Sequence, residues 1–346
     1  YIYRLHTTSI SIYMRRLSRM EETNNQQSFT FSTIDGDIGN KLDKMYGFSP
    51  SFVKVHPANY ILPTKFVFYA QKVRHMEVYE DDTWMVSYPR TGSHWAQEMV
   101  WCIGNNFDYE NKSDMNSNYR SSALMNTGDY SQWFAKMGDS VDNAMKMARP
   151  RYVKSHLPWD LLPKGIEKKK PKIIYVARNP KDTCVSFYHY CKLMHNMEAT
   201  FDEFAEIFLM DYGPISPFFS HVRKFWEMRD EENVLFLKYE DMKQVLGAVK
   251  KTAKFLGKTI TDDQIVELCE HLKFSKMAAN PSINLSQILP EGNLKSSNAN
   301  VRFIRKGKVG DWKNYMSETL SRRFDEWTEE NLRGTGLKFE TEINED

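Results

Sequence analysis

The stretch TWMVSYPRTGSHWAQEMVWCIG, residues 83–104, carries three local signals in succession. TWMVSY (83–88) is a short apolar run rich in aromatic and β-branched residues, as a buried strand would be. Pro89 and Gly92 break it with a tight turn, and beyond them Trp95, Met99 and Cys102 recur at helical spacing. A strand that turns sharply into a helix aims free backbone N–H groups and a helix N-terminus at one point, which makes an anion site. Thr91 and Ser93 add hydroxyls to that turn, and Arg90 adds a fixed positive charge. No Gly-Lys-Ser/Thr triplet of the Walker type occurs here, which speaks against a conventional ATP or GTP hydrolase.

Two more apolar runs repeat the pattern. KIIYVA (172–177) leads into DTCVSFYHYCKLM, and NVLFLKY (233–239) leads into a helical stretch from Asp241 through Phe255. Strand followed by helix, repeated, predicts an α/β fold: a single domain with a central parallel sheet flanked by helices. Ligands of such sheets bind at the carboxyl ends of the strands, which directs attention to the segments after Tyr88, Ala177 and Leu237. The domain is expected to span residues 41–340, with 1–40 outside the fold and 341–346 as an acidic tail. Residues 105–148 carry an amphipathic stretch, WFAKMGDSVDNAMKMA, that suits either a helix over a pocket or a surface helix. Residues 280–300 read as a long loop, and a charged helix is expected from Ser317 to Leu332.

Composition narrows the function class. The 346 residues hold 47 Lys+Arg against 45 Asp+Glu, a formal charge of +2, too balanced for a surface that coats nucleic acid or anionic lipid. Residues 1–20 contribute four arginines and no acid, so the remainder stands at −2. That segment has the composition of a mitochondrial transit peptide, but Tyr1 and a candidate initiator at Met20 also fit sequence translated from upstream. Four cysteines without a CxxC pair or zinc spacing fit a reducing, cytoplasmic setting. No run approaches the roughly 18–20 apolar residues of a membrane span, so neither a membrane nor a nucleic acid is an expected partner.

Three further motifs accompany the first. KSHLPWDLLP (154–163) sets Lys154 and His156 two apart, on one face if the segment is extended. ARNPKDTCVSFYHY (177–190) puts Arg178 at a strand end and Ser186 on the following helix. RFIRKGKVGDW (302–312) is a basic loop containing glycine. In this order the four motifs resemble the cytosolic sulfotransferase family, over roughly Tyr46 to Leu337. The first looks like its P-loop-like phosphosulfate-binding loop and the second like its catalytic Lys-x-His segment. The third resembles its 3′-phosphate strand and helix, and the fourth its late RKG-x-x-GDW element.

The resemblance implies 3′-phosphoadenosine 5′-phosphosulfate (PAPS) as sulfonate donor, 3′-phosphoadenosine 5′-phosphate (PAP) as product, and no metal. It implies that Arg90, Thr91, Gly92, Ser93 and His94 line the phosphosulfate while Trp95 stacks on adenine. Arg178, Ser186, Arg305, Lys306 and Gly307 would hold the 3′-phosphate, with Tyr239 and Phe274 beside the base. His156 would be the general base, because an imidazole titrates near working pH, with Lys154 and Arg90 stabilising charge at the transferred group. The acceptor would be a small hydroxylated molecule, such as a phenol, catecholamine, steroid or retinoid. Tyr130, Trp133, Phe134, Tyr190, Phe218 and Phe219 are candidates to line its pocket.

This chain departs from the family pattern at several positions. Arg90 stands where a Lys is usual, and an arginine can stabilise charge but not donate its proton. His94 and Leu272 stand where Thr is usual. The family's dimerisation motif survives only as Lys313, Ser317, Glu318 and Arg322, with its last charge reversed, which makes a homodimer through that surface doubtful. Competing readings are a catalytically weak nucleotide-binding member, a dehydratase acting through a transient sulfate ester, and a P-loop kinase.

Overall fold

The computed structural model describes residues 29–107, 122–123, 140–284 and 302–343. Its central sheet is parallel throughout, built from β4 (Thr83–Ser87), β5 (Ser122–Ala123), β6 (Tyr152–Ser155), β7 (Lys172–Ala177) and β8 (Val234–Lys238) in the order β5-β6-β4-β7-β8. The three apolar runs singled out in the sequence are β4, β7 and β8, adjacent or one crossover apart, and the Lys-x-His segment supplies β6.

Every residue of β4 is buried, as expected where helices cover both faces of a parallel sheet. The period of two divides the strands between two apolar layers. Trp84, Val86, Ile173 and Tyr175 face one layer, where the Tyr175 ring stacks on Phe225 at 4.3 Å. Met85, Ile174, Val176 and Leu235 face the other, against Met99 and Val249.

The helices begin where chain chemistry allows. Pro180 opens the Pro180–His195 helix, where its missing N–H is no loss, and the Asn179 side chain caps it by accepting from the Asp182 N–H at 2.8 Å. Ser93–Gly104 follows β4, and Glu318–Leu332 matches the charged helix expected near the C-terminus. The single helix expected from Asp241 to Phe255 is two, Tyr239–Met242 and Val245–Leu256.

The folded body starts earlier than the boundary at residue 41. Phe29 is buried, and β1 (Thr30–Thr33) pairs antiparallel with β2 (Phe52–His56), which pairs with β3 (Tyr60–Pro63). The Gly36–Tyr46 helix packs Leu42 and Met45 into the core. β1 lies in a polar context and gains its partner only by pairing across 20 residues or more of chain, so local composition hides it. At the other end Thr341 and Glu342 are tied back, the Thr341 carbonyl accepting from Trp312 Nε1 at 3.0 Å and Glu342 pairing with Lys313 at 2.8 Å. Of the stretch proposed as a pocket cover, Ser140–Lys146 is helical; Tyr130, Trp133 and Phe134 lie outside the described residues. Of the expected loop, Pro281–Asn284 forms a helical turn and 285–301 lies outside them.

Candidate active site

At the carboxyl ends of β4, β6, β7 and β8 a cavity of about 390 Å³ opens, and all four motifs reach it. Two backbone positions shape its floor. Arg90 (φ 70°) and Gly92 (φ 101°) both take the left-handed region, turning the chain from β4 into the Ser93–Gly104 helix within a few residues. A Cβ on Gly92 would stand 2.5 Å from the Tyr239 ring, so only glycine lets the turn lie flush against it. Gly307 (φ 66°) sits equally close to the Phe274 ring.

Within that frame Arg90, Gly92, Ser93, His94 and Trp95 line the cavity. Thr91 is placed differently. Its side chain is fully buried, and its hydroxyl lies 2.8 Å from each of the carbonyls of Tyr88 and Val176. It pins the turn to the sheet and leaves its backbone, not its hydroxyl, for a ligand. Arg90 reaches across the cavity, its Nε donating to Ser186 Oγ at 3.2 Å and its Nη2 to the Phe303 carbonyl at 2.7 Å. Its guanidinium also lies 4.6 Å from the centre of the Phe303 ring.

β6 places Lys154 and His156 on one side, as an extended segment should. His156 Nδ1 lies 2.8 Å from the Ser87 carbonyl, which accepts only if Nδ1 carries the proton. Nε2 is thereby left as the basic nitrogen. The residue's own carbonyl accepts from His221 Nε2 at 3.1 Å, and Tyr175 donates to His221 Nδ1 at 2.8 Å. Lys154 Nζ lies 3.2 Å from His94 Nε2, and His94 packs edge-on against Phe303.

Burial, reinforced by the collected positive charge, lowers Lys154, His156 and His94. Burial, then the Arg90 cation, pushes the Lys154 ammonium down to about 7. Burial and then Lys154 push His156 down to about 3, and His94 is held well below the ordinary imidazole range by the same causes.

The far end is a second cationic cluster. Arg178 donates through Nη2 to the Lys308 carbonyl at 2.8 Å and lies 4.3 Å from the centre of the Tyr239 ring. Arg305 and Lys306 both bond Asp311. Burial alone would raise the Asp311 carboxyl, but these two cations outweigh it and hold it below the usual range. The loop carrying them is fixed by Asp182, whose carboxylate accepts from the N–H groups of Gly310 (2.8 Å) and Trp312 (3.0 Å). Trp95, Tyr239 and Phe274 bring three aromatic rings to the same end, with Trp95 and Tyr239 edge-on at 5.8 Å.

Motif reading missed Ser87, His221, Asp182 and Phe303. Asp182 had a local signal, the Asn-Pro-x-Asp helix start, whereas the others act through contacts between residues distant in sequence. Of the aromatics proposed for the acceptor, Tyr190 lines the cavity, and Phe218 and Phe219 are buried in the core. The apolar wall is made instead by Pro63, Phe187, Met194, Pro214 and Ile215.

Fold and site together define an α/β protein whose strand-end cavity gathers cationic side chains, imidazoles and aromatic rings. The chain belongs to the cytosolic sulfotransferase family. The Sulfotransferase domain profile matches residues 80–336. Luciferin sulfotransferase of Photinus pyralis is 33% identical over 307 residues, which cover 85% of this chain and 83% of that protein. Sulfotransferase 1E1 of Homo sapiens is 34% identical over 303 residues, covering 84% and 97%. A crystal structure of retinol dehydratase in a complex with retinol and PAP superposes with a TM-score of 0.81 at 27% identity, covering 90% of this chain and 99% of that one.

Proposed function

We propose that the protein transfers a sulfonate group from PAPS to a hydroxyl or amine of a small, mostly hydrophobic acceptor, with His156 as general base. The observation that carries this reading is the His156 tautomer: Nδ1 bonded to the Ser87 carbonyl, Nε2 free to take a proton, and Lys154 and Arg90 lining the same cavity. Two features support a nucleotide with a terminal phosphate. Arg178 Nε is buried without a hydrogen-bond partner, and Gly92 and Gly307 let the backbone lie against the Tyr239 and Phe274 rings, where a Cβ would collide with them. When bound, the donor supplies an activated sulfonate on a phosphate leaving group.

The protein's own residues then have distinct tasks. The N–H groups of Thr91, Gly92 and Ser93, with Arg90 and Lys154, hold the phosphosulfate and stabilise charge on the departing oxygen. Arg90 acts by charge alone. Arg178, Ser186, Arg305, Lys306 and the backbone of Gly307 take the 3′-phosphate, and Trp95, Phe274 and Tyr239 enclose the adenine. Pro63, Phe187, Pro214 and Ile215 orient an apolar acceptor so that its hydroxyl meets His156 Nε2. Four free cysteines, three of them buried, accord with a reducing, cytoplasmic setting. Among the described residues no helix is long and apolar enough to cross a membrane.

The test is transfer of labelled sulfonate from PAPS to a panel of phenols, catecholamines, steroids and retinoids. Tight PAP binding with no product from any acceptor would replace this reading with that of a nucleotide-binding module. The match to retinol dehydratase favours a second reading, elimination of water through a transient sulfate ester, which mass spectrometry of the product distinguishes.

The depressed Lys154 makes a separate prediction. Burial and the Arg90 cation leave this amine largely neutral above pH 7. Phosphate charge beside it favours the ammonium, so the bound state carries more protons than the free state. PAP binding is therefore expected to take up protons and to weaken as pH rises above about 7. Calorimetry in buffers of different ionisation enthalpy reads the uptake directly. An affinity that stays flat from about pH 6 to about pH 9 would contradict it.

A further inference from the structure

Further along the Ser93–Gly104 helix, beyond the turn at Arg90–Gly92, three potential metal ligands converge. Glu98 and Cys102, one turn apart, share a face of that helix, and His271 ends the Asp262–His271 helix. His271 Nε2 lies 2.7 Å from Glu98 Oε1, Cys102 Sγ lies 3.8 Å from the same oxygen, and all three ligand atoms fall within 4.8 Å of one another. Glu98 and Cys102 are both 2% exposed, while the His271 side chain is 22% exposed and offers a route in from solvent.

We propose that Glu98, Cys102 and His271 form a zinc site. Ligand type favours zinc: thiolate, imidazole and carboxylate are its usual donors, and a cation preferring oxygen alone would not take the sulfur. The geometry is close to what zinc requires. Bonds of about 2.3 Å to sulfur and about 2.0–2.2 Å to nitrogen and oxygen set tetrahedral donors roughly 3.3–3.7 Å apart. The Sγ–Oε1 distance lies just beyond that range, and the imidazole and carboxylate must separate by a little over half an ångström. Charge favours it as well. One Zn²⁺ with a carboxylate, a thiolate and a neutral imidazole sums to zero in a place where net charge is costly. Binding releases the thiol proton of Cys102 to solvent and requires the His271 imidazole to ligate through an unprotonated Nε2, and no oxidant or reductant is needed.

The position gives the ion a structural task. The Ser93–Gly104 helix begins at the phosphate-binding turn, and His271 is followed directly by Leu272 and Phe274 on the cavity wall. Zinc there fastens two walls of the nucleotide end to each other.

The experiment uses the full chain, stripped with a chelator, dialysed and titrated with zinc chloride, with bound metal read by elemental mass spectrometry and melting followed in parallel. One zinc per chain and a raised Tm are expected, and cobalt substituted for zinc should show a thiolate-to-metal charge-transfer band. Cys102→Ser and His271→Gln should each weaken binding by more than the roughly tenfold that an outer-shell partner contributes. Cys269→Ser, at a partly exposed thiol on the same helix as His271, should leave it unchanged. Retention of metal in Cys102→Ser, or its loss in Cys269→Ser, would mark adventitious binding and overturn the site. Should either ligand variant fail to fold, the absence of a thiolate band in the cobalt-loaded wild type overturns it equally. Because metal content, spectrum and Tm do not depend on turnover, failure here leaves the sulfonate-transfer reading untouched.

Discussion

His156→Ala is expected to lower turnover by about 10²–10⁴-fold, the usual contribution of a positioned general base. PAP affinity should change little. The side chain lost makes its hydrogen bonds to Ser87, whereas the nucleotide's anionic ends are assigned to Arg90, Arg178, Arg305 and Lys306. The backbone of the variant has reason to stay in place, because His221 donates to the carbonyl of residue 156, which alanine retains. Steady-state kinetics with PAP binding measured on the same preparation separates the outcomes. Turnover within tenfold of wild type would remove His156 from the chemistry, and loss of PAP binding would show that the variant disturbed the site as a whole.

The depth of the expected loss depends on the burial and charge around His156. With burial and Lys154 holding His156 near 3, the imidazole is a poor proton acceptor until negative charge enters the cavity. Phosphate and sulfonate oxygens beside Lys154 and Arg90 offset that positive field, and the imidazole regains basicity in the presence of the group it must serve. A neutral acceptor alone supplies no such charge. On the proposed assignment base strength at His156 is expected to rise with donor occupancy, and the His94–Lys154 contact at 3.2 Å places a second imidazole beside the same ammonium.

How far the sequence foretold this site follows from where its information lies. The turn at Arg90–Gly92, the Lys154/His156 pair and the Arg178–Ser186 segment were legible because each is a contiguous motif at a strand end, and their convergence follows from parallel β-topology. The antiparallel sheet of β1, β2 and β3 was not, because four- and five-residue strands with mostly buried side chains on β2 and β3 carry no alternation to read. Nor was the orientation of Thr91, whose hydroxyl is claimed by Val176 85 positions away. The tautomer of His156 likewise depends on the Ser87 carbonyl, a backbone atom with no side-chain signature. Local chemistry told which residues gather at the strand ends, and the packing of remote segments told how each is held.

The second large effect lies at the opposite end of the same strands. Asp82 precedes β4 and Arg151 precedes β6, and both side chains are fully buried. Arg151 donates through Nε to Asp82 Oδ1 at 2.8 Å and through Nη2 to Oδ2 at 2.6 Å, with a further bond from Nη2 to the Glu77 carbonyl at 2.9 Å. Their backbones join the strands as well, the Arg151 carbonyl accepting from the Thr83 N–H and the Asp82 carbonyl from the Lys172 N–H. Asp82→Ala leaves a guanidinium in the core without its counter-charge, at a cost of about 3–5 kcal/mol. Against a total stability of about 5–15 kcal/mol that is a large fraction, and Tm is expected to fall by roughly 5–15 °C. Below that transition kcat should stay near wild type, since Asp82 sits at the amino end of β4 and the cavity opens at the carboxyl end. If the loss comes from the stranded charge, Asp82→Leu combined with Arg151→Met should recover most of it, because a buried ion pair replaced by apolar groups of similar volume is often neutral or better. Thermal melts of the single and double variants decide. A double variant no more stable than Asp82→Ala would mean that the hydrogen bonds from Arg151 to the Glu77 and Ala144 carbonyls, and not the charge balance, hold the amino ends of β4 and β6 together.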